Sequence, residues 1–268
     1  MSAATIIVSQ TRYNLLATTR AGSAIALGIV MPVVFYLGAS ALFGSETLGG
    51  DNPVEVRTAG ATPNMRTFYV GGFMAYAAIY AAFVALLPDL VDIRERGLLK
   101  RLRGTPLPLS AFVAARFVIA LLITTIGVTV IAALGWVIFD APTRAGAFVG
   151  LAVYTLAGTV TFACLAVAAT TITRTQSEAQ GLSNGIGIVL AMISGVFFEP
   201  SILPDAVLSI AQILPLEPLA NGYQSQYVAD ASGVGLDLRN LGTLAAWTLA
   251  ALALVALRGF RWQPRQQR

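Results

Sequence analysis

Pro88-Asp-Leu-Val-Asp-Ile-Arg-Glu-Arg-Gly-Leu-Leu-Lys-Arg-Leu-Arg-Gly-Thr-Pro-Leu-Pro-Leu-Ser110 is the densest cluster of charge in the chain, and apolar runs lie on both sides of it. Its spacing is helical. With Leu90 at zero and about 100° per residue, Leu98, Leu102 and Leu99 fall near 80°, 120° and 180°. Arg94 and Arg101 fall at about 20–40°, and Lys100, Arg96 and Arg103 fall on the far side. The spacing predicts one short helix over 94–103 with a leucine face and a basic face. Glu95 falls inside the leucine face, where a helix that merely lies on lipid should not place a carboxylate. A helix seated in a groove of another protein can carry it if the groove offers a donor. A second reading stays open: basic loops of this kind also fix topology by charge alone.

Outward from this stretch the chain is strongly apolar. It has 268 residues, 56% hydrophobic and 11% charged, with a mean hydropathy of +0.75. Soluble domains carry about 25% charged residues. The long apolar runs therefore predict an all-α polytopic membrane protein with six transmembrane helices. Barrel strands would instead alternate over about ten residues. The spans fall near Gly22–Phe43, Phe68–Leu87, Ala111–Phe139, Ala145–Ile172, Gly181–Phe198 and Leu241–Leu257. Span two is expected to stop at Pro88, and Pro32 to bend span one. Arg116 is expected to snorkel from span three to the headgroups. Ala39-Ser40-Ala41 mimics a cleavage site, but the apolar stretch is too long for a signal peptide.

Orientation follows from the basic residues. With both ends cytoplasmic, thirteen of the seventeen fall inside, and only Arg57, Arg66, Arg144 and Arg239 fall outside. The pI near 9.5 thus reads as a topology signal rather than a nucleic-acid surface, because the basic residues are dispersed. The expected organisation is a single transmembrane domain over 1–268, with an interfacial segment over 1–21, a core over 22–258 and a cytoplasmic tail over 259–268.

Phe73, Tyr76 and Tyr80 recur at helical spacing in span two, with Phe83 next in the series. They read either as packing or as the wall of a path for an amphipathic or aromatic substrate. Asn184, with Ile188 one turn on, is placed on the same path; a buried Asn more often glues helices. No histidine is present, which removes His-based metal sites and bases, and no metal site is expected. The lone Cys164 allows no intrachain disulfide. No Gly-x-x-x-x-Gly-Lys-Ser/Thr loop occurs, so the chain is not expected to hydrolyse ATP itself. The spans lack buried acids suited to proton relay, which weighs against an ion-coupled carrier. No nucleophile or metal constellation supports an intramembrane enzyme.

Glu95-x-Gly97-Leu98-x-x-x-Leu102-x-x-Thr105-Pro106 resembles the motif of permease subunits of type-2 ABC exporters. Ser194-Gly195-Val196-Phe197-Phe198, followed by Glu199, Leu203-Pro204 and Leu214-Pro215, is similar to the end of span five and the external segment of that family. Phe260-Arg261-Trp262-Gln263-Pro264-Arg265 resembles a tail seen in actinobacterial members, with Gln263 in place of an acid. The resemblance implies that Arg94, Glu95, Gly97, Leu98, Leu99, Leu102, Thr105 and Pro106 contact a separate ATPase through a cytoplasmic coupling helix. It implies short re-entrant external helices capped by Phe197, Phe198, Pro204 and Pro215. It also implies two ATPase copies that bind ATP and Mg, no cofactor in this chain, and a second permease chain, identical or related. The setting is a bacterial plasma membrane, with lipid around the chain and no nucleic acid. A hydrophobic drug or lipid is the expected substrate; polysaccharide and sodium export stay open.

Overall fold

The computed structural model describes residues 26–43, 65–97, 109–144, 146–198, 204–228 and 233–258, and these are helical, without a strand among them. The helices are α1 (Met31–Phe43), α2 (Met65–Ile79), α3 (Leu86–Glu95), α4 (Leu109–Phe139), α5 (Ala147–Ala169), α6 (Gln176–Ile193), α7 (Asp205–Ala211), α8 (Leu216–Gln224) and α9 (Leu238–Arg258). Among the described residues, four stretches are long and apolar enough to cross a membrane: Met65–Glu95, Ala111–Phe139, Ala147–Ala169 and Leu238–Arg258. The first is the central rod of the molecule, 94% buried over its most apolar window, whereas Leu238–Arg258 is 17% buried and peripheral. The helix Gly28–Phe43 is apolar but shorter. The helix α6 is not among the four, since Gln180, Ser183, Asn184 and three glycines dilute its apolar residues.

Span two does not stop at Pro88. The helix runs on to Glu95 through a π-helical turn at Tyr80–Val84. Proline lacks the N–H that would bond the carbonyl four residues back, here that of Val84. The buried Ser183 hydroxyl of α6 lies 3.3 Å from that oxygen and donates to it, sharing its proton with the Gln180 carbonyl at 3.2 Å. A neighbouring helix thus satisfies the freed group, which is how proline is accommodated inside membrane helices. Pro32 sits likewise just after a π-helical turn, Ala26–Val30. A widened turn ahead of each proline relieves the ring clash.

The coupling stretch also departs from a single helix over 94–103. Arg94 and Glu95 form the last turn of α3, and Gly97 adopts φ +67°, the left-handed conformation that ends helices. The Arg96 and Gly97 amides bond back to the Asp92 and Arg94 carbonyls, at 2.9 and 3.1 Å. Among the described residues, no atom beyond its chain neighbours lies within 4 Å of where a Gly97 Cβ would be. Conformation, not close approach, is therefore what requires glycine there. Leu98, Leu99, Leu102, Thr105 and Pro106 lie outside the described residues.

Arg116 does not snorkel freely. It forms an ion pair with Asp89 of α3, and its guanidinium sits 5.5 Å from the centre of the Phe112 ring. The segment Leu216–Tyr227, polar and proline-flanked in sequence, is buried throughout except at Glu217. It packs on α2 and α5: a Cβ on Gly71 would meet the Gln224 backbone, one on Gly158 the Leu219 side chain, and one on Gly222 the Tyr154 ring. Most polar side chains along it are hydrogen-bonded, although the buried Gln226 Oε1 has no partner among the described residues. Asn240 donates to Asn221 at 3.1 Å, Tyr223 to Thr155 at 2.9 Å, and Gln224 to the Gly195 carbonyl at 3.0 Å. The Ser225 hydroxyl donates to the Gly222 carbonyl at 2.8 Å, and the Gln226 amide to the Gly235 carbonyl at 3.0 Å. Buried polar groups are mostly paired in this way.

Candidate translocation surface and coupling junction

The aromatic spacing in span two closes into a cluster that includes residues from two other elements. Phe73 and Tyr76 meet edge to face at 6.1 Å, and Tyr76 and Tyr80 lie 4.4 Å apart. Phe197, from the turn after α6, reaches in to 5.5 Å from Phe73 and 5.3 Å from Tyr76. Phe35 of α1 closes the group at 6.0 Å from Tyr76 and 6.1 Å from Phe197. Edge-to-face pairs at these separations add about 0.5–1.5 kcal/mol each beyond area burial. Tyr69 fixes the Phe197 backbone by donating to its carbonyl at 3.4 Å.

The burial within the cluster is graded. Phe73 and Tyr76 are buried in the protomer, Tyr80 is 7% exposed and Phe35 is 40% exposed; Phe198, the residue after Phe197, is 44% exposed. Asn184 is half-buried and Ile188 is 49% exposed, on one face of α6. Gly187, on the same helix, admits Val84 and approaches the Tyr80 ring. So α1 and α6 flank an aromatic floor and present apolar side chains outward: Val34 and Phe35 on one, Ile186, Ile188, Val189 and Met192 on the other. Phe197, expected at an external cap, belongs to the aromatic cluster, and Pro215 is buried as the residue before α8. Pro204 is exposed, as the residue before α7.

At the other end of the central rod, Arg94 is buried and turned onto the end of α5, while Glu95 is exposed. No reading of the 94–103 spacing anticipates this. Arg94 bonds carbonyls some eighty residues away, and only the tertiary packing brings them together. The buried ladder over Asn221–Gln226 was likewise missed. The signal available for it was the run of glycines on α2 and α5 at positions 71, 72, 150 and 158, which marks close helix approach.

An all-helical chain with apolar membrane-length helices and its charge gathered at their ends is a polytopic membrane protein. The chain matches the ABC-2 type transporter family over residues 6–227 and belongs to that family. It is therefore the membrane permease component of an ABC transporter, which works with an ABC ATPase subunit. No curated protein matches it.

Proposed function

We propose that this permease exports a hydrophobic drug or a lipid, as one of two permease chains in a complex with two ATPase subunits. The observation that supports the substrate class is the aromatic cluster, whose rings carry no charge and whose outer member, Phe35, lies on the uncovered apolar face of α1. A polysaccharide would call for many hydrogen-bonding groups, and a sodium ion for several oxygen ligands; the cluster offers only the two hydroxyls of Tyr76 and Tyr80. ATP and Mg belong to the partner, the chain itself is not an enzyme, and it holds no cofactor. The exposed apolar faces of α1 and α6 are the surfaces for the second permease chain, and Asn184 with Ile188 faces the path between them. The buried segment Leu216–Tyr227 serves as a re-entrant cap at the outer end.

The test is substrate response. Tyr76→Ala and Tyr80→Ala each leave assembly intact and reduce the substrate-stimulated part of ATP hydrolysis about tenfold, since each removes a ring contact together with its buried area. They are assayed in the reconstituted complex against a panel of fluorescent hydrophobic dyes and labelled lipids. Unchanged stimulation by every compound would leave the cluster as packing alone.

In the proposed topology α1, the α2–α3 rod, α4, α5, α6 and α9 all cross the bacterial plasma membrane, with both termini cytoplasmic. The charge asymmetry supports it. Reporter fusions at Asn52 and Gly233 report outside, and those at Gly97 and Ala179 report inside. A cytoplasmic signal at Gly233 contradicts the topology.

A further inference from the structure

The helix α3 ends where the connection over 97–108 begins; Leu90, Val91 and Ile93 bury its apolar side, and the Arg94 side chain ties its last turn to the end of α5. Arg94 donates from Nη1 to the Thr170 carbonyl at 2.7 Å, and from Nη2 to the carbonyls of Thr173 and Arg174 at 2.8 and 3.1 Å. These oxygens lie at the end of α5. There the helix tightens: the Thr170 amide reaches both Ala166 and Val167, and those of Thr171 and Ile172 bond three residues back. The hydroxyls of Thr170, Thr171 and Thr173 fold back onto the Val167, Ala168 and Ala169 carbonyls. What remains is a set of unsatisfied carbonyls at the negative end of a helix. A buried guanidinium answers both the hydrogen bonding and the charge.

The same turn starts α6. Thr175 caps it, accepting from the Glu178 amide at 3.1 Å, and Glu178 reaches back to the Arg174 amide at 2.7 Å. Arg174 is thereby held on both sides, its amide by α6 and its carbonyl by Arg94. The other leg of the 97–108 connection is tied to the same rod, because Arg116 of α4 pairs with Asp89 of α3. The two legs are therefore braced together, and α3 is joined to the α5–α6 junction through Arg94.

We infer that Arg94 is a positioning residue that carries displacement of the 97–108 connection into the Thr170–Glu178 junction, so that α6 moves with the connection. This rests on the reading that the partner ATPase docks on that connection. It places the mechanical output on the helix whose apolar face, including Ile188 and Met192, is uncovered in the protomer. Lysine could keep the charge but is a point donor, and it cannot bridge Thr170 and Thr173 as a planar fork does.

The experiment is hydrogen exchange on the permease–ATPase complex in lipid nanodiscs, without nucleotide and with ATP–vanadate. In the natural chain the amides of 171–179 change protection when nucleotide is trapped. In R94K, which keeps the cation and assembles, that nucleotide-dependent difference falls about tenfold, the loss of one or two charge-assisted hydrogen bonds. R94A behaves the same way or more severely. Both variants keep the ATPase bound, since Arg94 is buried against the end of α5. R96A serves as the control, because the Arg96 partner, Asp92, lies on its own helix; it responds as the natural chain does. A natural-size response in R94K overturns the inference. So does an ATPase-bound natural complex with no response in 171–179, and that result leaves the docking reading standing. Failure of docking itself appears separately, as an ATPase that stays fully bound to a chain altered at both Glu95 and Leu102.

Discussion

Gly71→Leu is expected to expel the buried segment Leu216–Tyr227 from the protein. At Gly71 the atoms that an added Cβ would meet are the backbone nitrogen and Cα of Gln224, together with that residue's Cγ. A flexible side chain could turn aside, but a helix backbone cannot. The substitution therefore moves α8 as a unit or prevents its docking. Overpacking against mobile side chains costs about 1–3 kcal/mol, and contact with backbone exceeds that range. Displacement also breaks the bonds that hold the segment: Asn240 to Asn221, Tyr223 to Thr155 and Gln224 to the Gly195 carbonyl. Each group left buried without a partner adds about 1–3 kcal/mol. Hydrogen exchange in detergent or nanodiscs should show amides 216–227 changing from protected to open. Gly242→Leu provides the comparison, since nothing lies within 4 Å of that site on α9 and no loss is expected. Retained protection in Gly71→Leu would mean that the α2–α8 approach is not obligatory.

The sequence makes the helical membrane class plain, and the positions of its most apolar helices nearly so. The run Ala111–Phe139 coincides with α4, and Leu241–Leu257 falls inside α9. Hydrophobic length decides such elements, and length is visible without partners. Pro88 shows where that logic ends. A proline stops an isolated helix, but here a π-helical turn precedes it and Ser183, almost a hundred residues on, satisfies the Val84 carbonyl. The segment Leu216–Tyr227 misleads for the same reason in reverse. Asn221, Gln224, Ser225 and Gln226 read as loop composition, because their partners lie on other helices.

The aromatic spacing at Phe73, Tyr76 and Tyr80 was legible because all three rings lie on one helix. That Phe35 and Phe197 complete the cluster was not, since nothing local joins α1 to the turn after α6. At the cytoplasmic end the wheel places Arg94 on a basic face, but a guanidinium at a helix terminus follows the nearest unsatisfied carbonyls. Those belong to Thr170, Thr173 and Arg174. Removing Arg94 from the basic face, and ending the helix at Gly97, leaves Glu95 and Arg96 exposed next to the connection.

That exposure bears on the second large effect, the loss of ATPase association in chains altered at Glu95 and Leu102. If the connection after Gly97 docks in a groove of the ATPase, Leu102 contributes its side chain to the contact, and its removal costs about 2 kcal/mol. Since each 1.4 kcal/mol is a tenfold change, Leu102→Ala should weaken association roughly thirtyfold. Glu95 is exposed in the protomer and so is available to an arginine of the ATPase. Removing one member of a pair that becomes buried on docking leaves the other charge alone, so Glu95→Ala costs more than the pair contributes. Glu95→Gln keeps the shape and removes the charge; association like that of the natural chain in Glu95→Gln, but not in Glu95→Ala, would assign the effect to packing. The measurement is the Kd of the purified ATPase for the permease in nanodiscs, followed by the ratio of transport to ATP hydrolysis in proteoliposomes. Glu95 is exposed at the end of the rod, and Leu102 lies in the charged stretch between apolar runs, so both variants should insert normally. Natural affinity and full coupling in both the Leu102→Ala and Glu95→Ala chains would reduce the charged stretch to a signal for topology.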